Sequence, residues 1–344
     1  MARGCSPRLD AVMRYLRRQN VSYSRLDVHR EMLTDEIRTG AYERAIAAIV
    51  QPGDSVADFG CGTGILSFFA ARAGAAKIYA IDRSPIIRAA QRIAAANSFS
   101  AISFLEGKDV SLPESVNVLV SEWMGHFAFK ETMFSPLIQL RDRSLRSGGI
   151  MIPRRIVFRA ALVRDERLHD RLCYFRRRPW GVDFSPVAEW AFAQTTLHRL
   201  SEQQVLPGDI HLGELDMATC SSQLPILEGS HVPQSESKVF GIAGWFEADL
   251  SASESFSTGP RAPATHWYQV FFPIPHPVII KPGMNVSVRI QPFEVAGVDS
   301  VYWRWRLAVD ETTIEMDDVT YEVWLRSRAP QIVADGTTEA KTDT

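Results

Sequence analysis

A chain of 344 residues that is 46% hydrophobic and 23% charged has an ordinary globular balance, with room for two domains whose cores need no disulfide or metal staple. Its formal net charge of −2 excludes nucleic-acid binding by bulk attraction. Its four cysteines (Cys5, Cys61, Cys173, Cys220) lack CxxC spacing, which argues against a zinc site or disulfide framework and fits a reducing compartment. The N-terminal segment lacks the continuous apolar core of a signal peptide, and no stretch approaches the roughly 18 apolar residues of a membrane span. A soluble cytoplasmic protein (nuclear as an option in a eukaryote), with no membrane and no direct nucleic-acid partner, is expected.

From the N-terminus, Leu9, Val12, Met13 and Leu16, then Met32, Leu33, Ile37, Tyr42, Ile46 and Ile49, recur at helical spacing and predict a helical cap over residues 1–50. From Asp54 the period changes. VADF is a short apolar strand running into GCGTG, and ILSFFAARAGA is helical. KIYAID is a second strand, SPIIRAAQRIAAAN a second helix with Pro85 near its first turn, and AISFLEG and VNVLVSEW two further strands. Strands alternating with helices mean βαβ units and a parallel sheet, so residues 51–152 form a Rossmann-like α/β domain. After Gly148-Gly149 come RIVFRAALV, KVFGIAGWFEADL, HWYQVFFPI and VSVRIQPFEV, strand-like segments without a helical period after each. They predict an antiparallel, β-barrel-like domain over residues 153–327. Arg176, Arg177 and Arg178 read as a solvated basic turn. Residues 186–215, including AEWAFAQTTLHRL, read as a helical insertion, and residues 328–344 as a disordered tail.

The first strand ends in D-F-G-C-G-T-G, which contains Asp58, Gly60, Gly62 and Gly64. A glycine-rich turn between strand and helix lets backbone approach a ligand closely. The spacing is G-x-G-x-G rather than the G-x-G-x-x-G of dinucleotide folds, which counts against a nicotinamide dehydrogenase. It suits S-adenosylmethionine, which has no pyrophosphate to cradle and carries a methionine ammonium for which Asp58 is a suitable partner. Asp82, ending the second strand, is the candidate acceptor for the ribose hydroxyls. Ser84 is available for the helix cap that would otherwise explain an acid there. Asp109, after the third strand, is the candidate for the adenine amino group.

Glu122 stands at the carboxyl end of the fourth strand, where open α/β sheets bind ligands. Glu131 follows nine residues later, with Gly125 permitting a tight loop. An isolated pair of this spacing would read as two solvated glutamates. Beside a cofactor, two carboxylates suit a guanidinium, whose planar fork of donors bonds carboxylates bidentately. A guanidinium holds its proton up to a pKa of roughly 12.5–13.8 and is a poor nucleophile. Two glutamates would hold it, draw charge toward one nitrogen and present the other to the methyl in line. Glu131 or a nearby histidine would receive the proton.

At these residues the sequence resembles the protein arginine methyltransferase family. SEWMGHFAFKE resembles its double-glutamate loop and VADFGCGTGILSFFAARAGA its cofactor loop. HREMLTDEIRTGAY is similar to the helix covering the cofactor, and FSTGPRAPATHWYQ to the threonine-histidine-tryptophan loop, in the family's order from about Tyr23 to Pro282. The resemblance implies that Arg38 pairs with the methionyl carboxylate and that Glu122 and Glu131 clamp the guanidinium. It implies that His266 hydrogen-bonds Asp35 and assists proton removal, and that Trp267 walls the substrate channel. Tyr23 is kept from the family's Y-F-x-x-Y helix and is placed at both cofactor and substrate. Met32 and Met133 resemble methionines lining the site of members that form asymmetric dimethylarginine. The resemblance also implies a head-to-tail homodimer docked through a helical arm, for which residues 188–212 are the candidate. The chain departs from the family at His126, a substrate-side position usually held by tyrosine, and at Gln19, where the helix has its first tyrosine. It departs again at Lys130, just before Glu131, and near Asp109, where it is one residue shorter.

The expected function is methyl transfer from S-adenosylmethionine to the arginine guanidinium of protein substrates. The alternatives are methylation of free arginine or a small guanidino metabolite, and a cofactor-binding scaffold without turnover.

Overall fold

The structure, a computed structural model, describes residues 23–295 and 300–318. The helix expected around Leu9–Leu16, Gln19 and the tail expected at 328–344 lie outside the described residues. The chain divides into two compact units. One comprises Met1–Glu122, Gln139–Arg154 and Leu250–Glu254; the other comprises Trp123–Ile138, Arg155–Asp249 and Ser255–Thr344. Among the described residues no helix is long and apolar enough to cross a membrane.

The first unit opens with α1 (Leu26–Thr34) and α2 (Glu36–Ile49). Asp35 breaks what would be one helix: its backbone is extended and its carboxylate caps α2 by accepting the Arg38 amide at 3.0 Å. Then follow β1 (Ser55–Phe59), α3 (Ile65–Arg72), β2 (Lys77–Asp82), α4 (Ile87–Ala96), β3 (Ile102–Glu106), β4 (Val116–Val120), α5 (Phe134–Ser144) and β5 (Leu145–Ile152). The strands pair in parallel in the order β3-β2-β1-β4-β5. Val56, Ala57, Val118, Leu119 and Val120 are buried, the apolar run that a sheet covered on both faces requires. The chain winds outward from β1 through β3 and returns to β4 on the other side. The order therefore reverses between β1 and β4, the place where such sheets bind ligands at their carboxyl ends. Ser121 ties that edge together. Its hydroxyl donates to the Phe59 carbonyl at 2.6 Å and its amide to the Ile152 carbonyl at 2.9 Å.

The second unit contains β6 (Arg155–Val163), β7 (Thr196–His198), β8 (Ile210–Asp216), β9 (Leu227–His231), β10 (Ser237–Asp249), β11 (Ser255–Ser257), β12 (Gln269–Ile280), β13 (Val286–Glu294), β14 (Val301–Val309) and β15 (Thr312–Asp317). They form an antiparallel sheet β7-β12-β10-β6-β8, with β11 paired to β10, and a second antiparallel sheet β15-β14-β13-β9. In β13, Val286, Val288 and Ile290 point inward and alternate with Ser287, Arg289 and Gln291. Phe158, Phe246, Phe271, Phe272, Trp303 and Trp305 fill the core. The α/β domain and the antiparallel, barrel-like domain are thus both present.

Three expectations need correction. A single boundary at 152/153 gives way to an interleaved division, because the rings of Trp123–Ile138 bury among those of the second unit. The helical insertion lies upstream of residues 188–212. It runs from α6 (Glu166–Leu172) through short turns at Cys173–Arg176, Pro179–Gly181, Ser185–Ala188 and Glu189–Phe192. Asp165 caps α6 by accepting the Arg167 amide at 3.0 Å. Beyond Phe192 the β-branched Thr195 and Thr196 favour extended chain, and β7 pairs with the edge of β12. Arg176, expected in a solvated turn, is partly buried. It donates to the Pro275 carbonyl at 2.9 Å and lies 4.6 Å over the Phe192 ring.

Candidate active site

The turn after β1 is shaped by backbone. The amides of Gly60 and Cys61 both donate to the Ile81 carbonyl, at 2.8 and 2.9 Å, and the Gly64 amide donates to the Cys61 carbonyl at 2.8 Å. Gly62 and Gly64 have φ of +55° and +90°, in the left-handed region. A Cβ at Gly62 would sit 2.8 Å from the His29 ring, and one at Gly64 2.8 Å from the tip of Phe68. Asp58, wholly buried, accepts the amide and hydroxyl of Ser67 on one oxygen, Oδ2, at 2.9 and 2.6 Å. Its other oxygen, Oδ1, is buried with no hydrogen-bond partner. Burial pushes this carboxyl up to about 7 against the pull of the Ser67 hydrogen bonds. An orphaned acceptor of this kind fits the methionine ammonium of S-adenosylmethionine.

Asp82 accepts the Gly62 amide at 2.9 Å and the Ser84 amide at 2.7 Å, so it braces the turn itself. The helix that follows has Ile86 at its N-cap and no side-chain cap, so neither Asp82 nor Ser84 caps it, and the Ser84 hydroxyl is buried without a partner. Each Asp82 oxygen keeps a second lone pair for a ribose hydroxyl. Asp109 lies at the surface. Its side chain is 84% exposed and pairs with Arg143 at 2.9 Å. That placement lends no support to an adenine contact.

Helix α2 brings Arg38 to Glu122. Both Nε and Nη2 donate to Glu122 Oε2, at 3.0 and 2.6 Å, and both side chains are more than nine-tenths buried. Arg38 Nη1 also reaches the carbonyl of the half-buried Met32 at 3.5 Å. Tyr42, a helix-spaced apolar position in the sequence, donates its hydroxyl to the Ser121 carbonyl at 3.1 Å and so fixes the peptide before Glu122. His29, not singled out from sequence, is buried; its Nε2–H donates to the Tyr23 carbonyl at 2.8 Å and its ring lies against Gly62. It could have been noticed as a histidine opening the segment HREMLTDEIRTGAY.

In the second unit, the loop after Glu122 curls on itself. Gly125 and Ala128 form a bridge, and Phe127 and Ala128 adopt positive φ of 54° and 69°. Glu131 folds its carboxylate over Gly125: a Cβ there would meet Oε1 at 2.9 Å. The loop is pinned by rings. Phe127 packs against Phe158, Phe272 and Trp303, and Phe129 against Trp123, Phe134, Phe158 and Trp303. It is also laced to the threonine-histidine-tryptophan loop. His126 Nδ1–H donates to the Trp267 carbonyl at 2.8 Å, and the Trp267 indole N–H donates to the Met124 carbonyl. Trp267 is buried, stacked on Phe256 at 5.3 Å and edge-on to Phe246, with the half-buried His266 ring 4.3 Å away. Met133, half-buried, accepts the Leu137 amide at the start of α5.

The structure therefore assembles Asp58, the glycines, Asp82, Arg38 and Glu122 in one unit, and Gly125, His126, Glu131 and Trp267 in the other. Residues 156–299 match the family model described as the arginine methyltransferase oligomerization subdomain, and residues 41–129 match that of ribosomal protein L11 methyltransferase. Protein arginine N-methyltransferase 1 of Schizosaccharomyces pombe is 34% identical over 288 residues, covering 79% of this chain and 84% of the relative. The enzyme of the same name from Saccharomyces cerevisiae is 34% identical over 282 residues, covering 77% and 80%. Among solved structures, the Trypanosoma brucei PRMT1 enzyme-prozyme heterotetrameric complex with AdoHcy aligns with a TM-score of 0.78 at 26% identity, over 86% of this chain and 98% of that one. The chain belongs to the protein arginine N-methyltransferase family.

Proposed function

We propose that Glu122 and Glu131 hold the substrate guanidinium while His266, partnered by Asp35, takes the proton that leaves it. The protein is an S-adenosylmethionine-dependent methyltransferase acting on arginine in proteins, and it oligomerises. The observation that carries the clamp is the Arg38–Glu122 pair. Glu122 already accepts two guanidinium nitrogens in a setting shielded from water. The substrate presents the same chemical group.

When bound, S-adenosylmethionine would supply an electrophilic methyl to the guanidinium nitrogen, its C–S electron pair remaining on sulfur in S-adenosylhomocysteine. The protein's part is to orient and to move the proton. Asp58 Oδ1 would take the methionine ammonium and Asp82 the ribose hydroxyls. Arg38 would give a donor to the methionyl carboxylate. Glu122 and Glu131 hold the substrate so that charge gathers on one nitrogen and the other faces the methyl. Met32, Met133, Tyr23, His126 and Trp267 shape the surroundings. We further place head-to-tail dimer docking at residues 166–192, where Tyr174, Phe175, Val182 and the 97% exposed Trp180 present apolar surface. We place the protein in the cytoplasm, on the cysteine spacing.

Glu131→Gln keeps the shape and removes the charge. Methyl transfer to an arginine-rich peptide is expected to fall by roughly 10²–10⁴-fold. S-adenosylhomocysteine affinity by calorimetry should stay at the wild-type value. Near-wild-type turnover in this variant sinks the clamp.

A further inference from the structure

Lys130 stands immediately before Glu131, and its side chain has a defined seat. Its Nζ donates to the Val301 carbonyl at 3.2 Å and lies 5.5 Å over the Tyr302 ring. The next residue of β14, Trp303, exchanges two hydrogen bonds with Asp318. Its amide donates to the Asp318 carboxylate at 2.6 Å, and its carbonyl accepts the Asp318 amide at 3.0 Å. Burial pushes the Asp318 carboxyl up to about 7; the Trp303 amide and then the Lys130 charge pull the other way. The ammonium is thus offered a carbonyl, an aromatic face and a nearby acid, all at the start of β14.

The same strand anchors the rest of the loop. Phe127 and Phe129 both pack on Trp303, at 5.3 and 6.3 Å between ring centres. Between Gly125 and Phe129 the chain passes through two left-handed, non-glycine residues, Phe127 and Ala128, a conformation that persists only where its surroundings hold it. Phe129 holds the loop two residues before Glu131, and one side chain stands between them. Lys130 is that neighbour, one Cα step of about 3.8 Å away.

We propose that Lys130 is a positioning residue for Glu131: its ammonium, seated on the Val301 carbonyl and the Tyr302 ring, locks the loop so that Glu131 lays its carboxylate over Gly125. The charge is what matters. A methionine of similar length keeps the stem but loses all three donors, whereas arginine keeps the cation and its donors. The inference rests on the clamp reading above, because only a Glu131 that touches substrate makes its placement visible in turnover.

The test compares Lys130→Met, Lys130→Arg and Glu131→Gln in the full-length protein, on an arginine-rich peptide. Lys130→Met should lower kcat about tenfold or more, the penalty of a slightly misplaced group. KM for S-adenosylmethionine and affinity for S-adenosylhomocysteine should be unmoved. Hydrogen exchange at the Ala128 amide, which donates to the Gly125 carbonyl at 2.9 Å, should quicken. Lys130→Arg should recover most of the lost kcat. A Lys130→Met enzyme with wild-type kcat overturns the anchor, whatever Glu131→Gln does. So does a loss that arginine fails to rescue, since it assigns the effect to the stem and not the charge. Persistent turnover in Glu131→Gln overturns the clamp beneath it instead.

Discussion

The turn at Gly60–Gly64 and the loop at Trp123–Phe134 both carry site residues, yet different forces hold them. In the turn, three amides find the Ile81 and Cys61 carbonyls, a fourth finds Asp82, and the contacting side chains press on positions that have none. In the loop, the backbone bonds of the Gly125, Ala128 and Phe129 amides stay within the loop, and what fixes it to the rest of the unit is Phe127 and Phe129 inserted among Phe158, Phe272 and Trp303. A backbone-held turn is specified by residues within it. A ring-held loop is specified by residues far along the chain, so it answers to the state of the whole core.

The sharpest way to break this contrast is Phe129→Ala. Phe129 is wholly buried, and truncating such a ring costs about 3–5 kcal/mol through lost transfer energy and the cavity left behind. Urea unfolding should show that loss in the midpoint. A cost below about 1 kcal/mol, the size of a surface change, would mean that the loop is held by something other than its rings.

A smaller effect is expected where backbone governs. Gly64→Ala forces a side chain into φ +90° and puts its Cβ 2.8 Å from Phe68 Cζ and 3.3 Å from Ala90. The Phe68 tip can give, so backbone strain dominates, at about 2 kcal/mol. Because the strain sits in the turn proposed to hold the cofactor, S-adenosylhomocysteine affinity should fall along with the unfolding midpoint. An alanine variant that binds as tightly as wild type removes the turn from the cofactor site.

The same contrast explains what could be read from sequence. The strand–turn–helix around Asp58 and the three glycines was legible because its parts are adjacent in the chain and the turn is written in the glycine spacing. Glu122 was legible from its place at a strand end, and Glu131 became specific through the resemblance. Tyr42 gave no signal beyond helical period, since its hydroxyl matters only after folding brings the Ser121 carbonyl to it. Asp82 was read as a ribose acceptor with the helix cap left to Ser84, whereas no side chain caps that helix and Asp82 takes the Ser84 amide to brace the turn. The helical insertion was placed too late because AEWAFAQTTLHRL was taken as its body. The actual start signal was the cap at Asp165, and Thr195-Thr196 turned the chain to strand. Ring packing of the loop was illegible throughout, as its partners lie as far along the chain as Trp303 is from Phe127.

The smallest effect separates the two regions by pH. Burial raises the Asp58 carboxyl from its ordinary 3.8 to about 7, and nothing among the loop residues is needed for that rise. The unfolded chain releases this proton near pH 4, so between about 4 and about 7 the folded chain holds the extra proton. Stability therefore falls as pH rises through that window, and the full cost is present above it. An ammonium beside Oδ1 favours the carboxylate, so cofactor binding must expel the proton below about pH 7. Affinity for S-adenosylhomocysteine should climb with pH from 6 to 7 by up to about tenfold, or about 1.4 kcal/mol, and then level until the ligand's own amine begins to lose its charge near pH 8. Calorimetry in two buffers of different ionisation enthalpy reads the released proton directly. Asp58→Asn should bind more weakly and show neither slope nor proton release. A wild-type affinity that is flat between pH 6 and 7, with no proton released, takes Asp58 away from the ammonium and leaves its orphaned oxygen without a ligand to explain it.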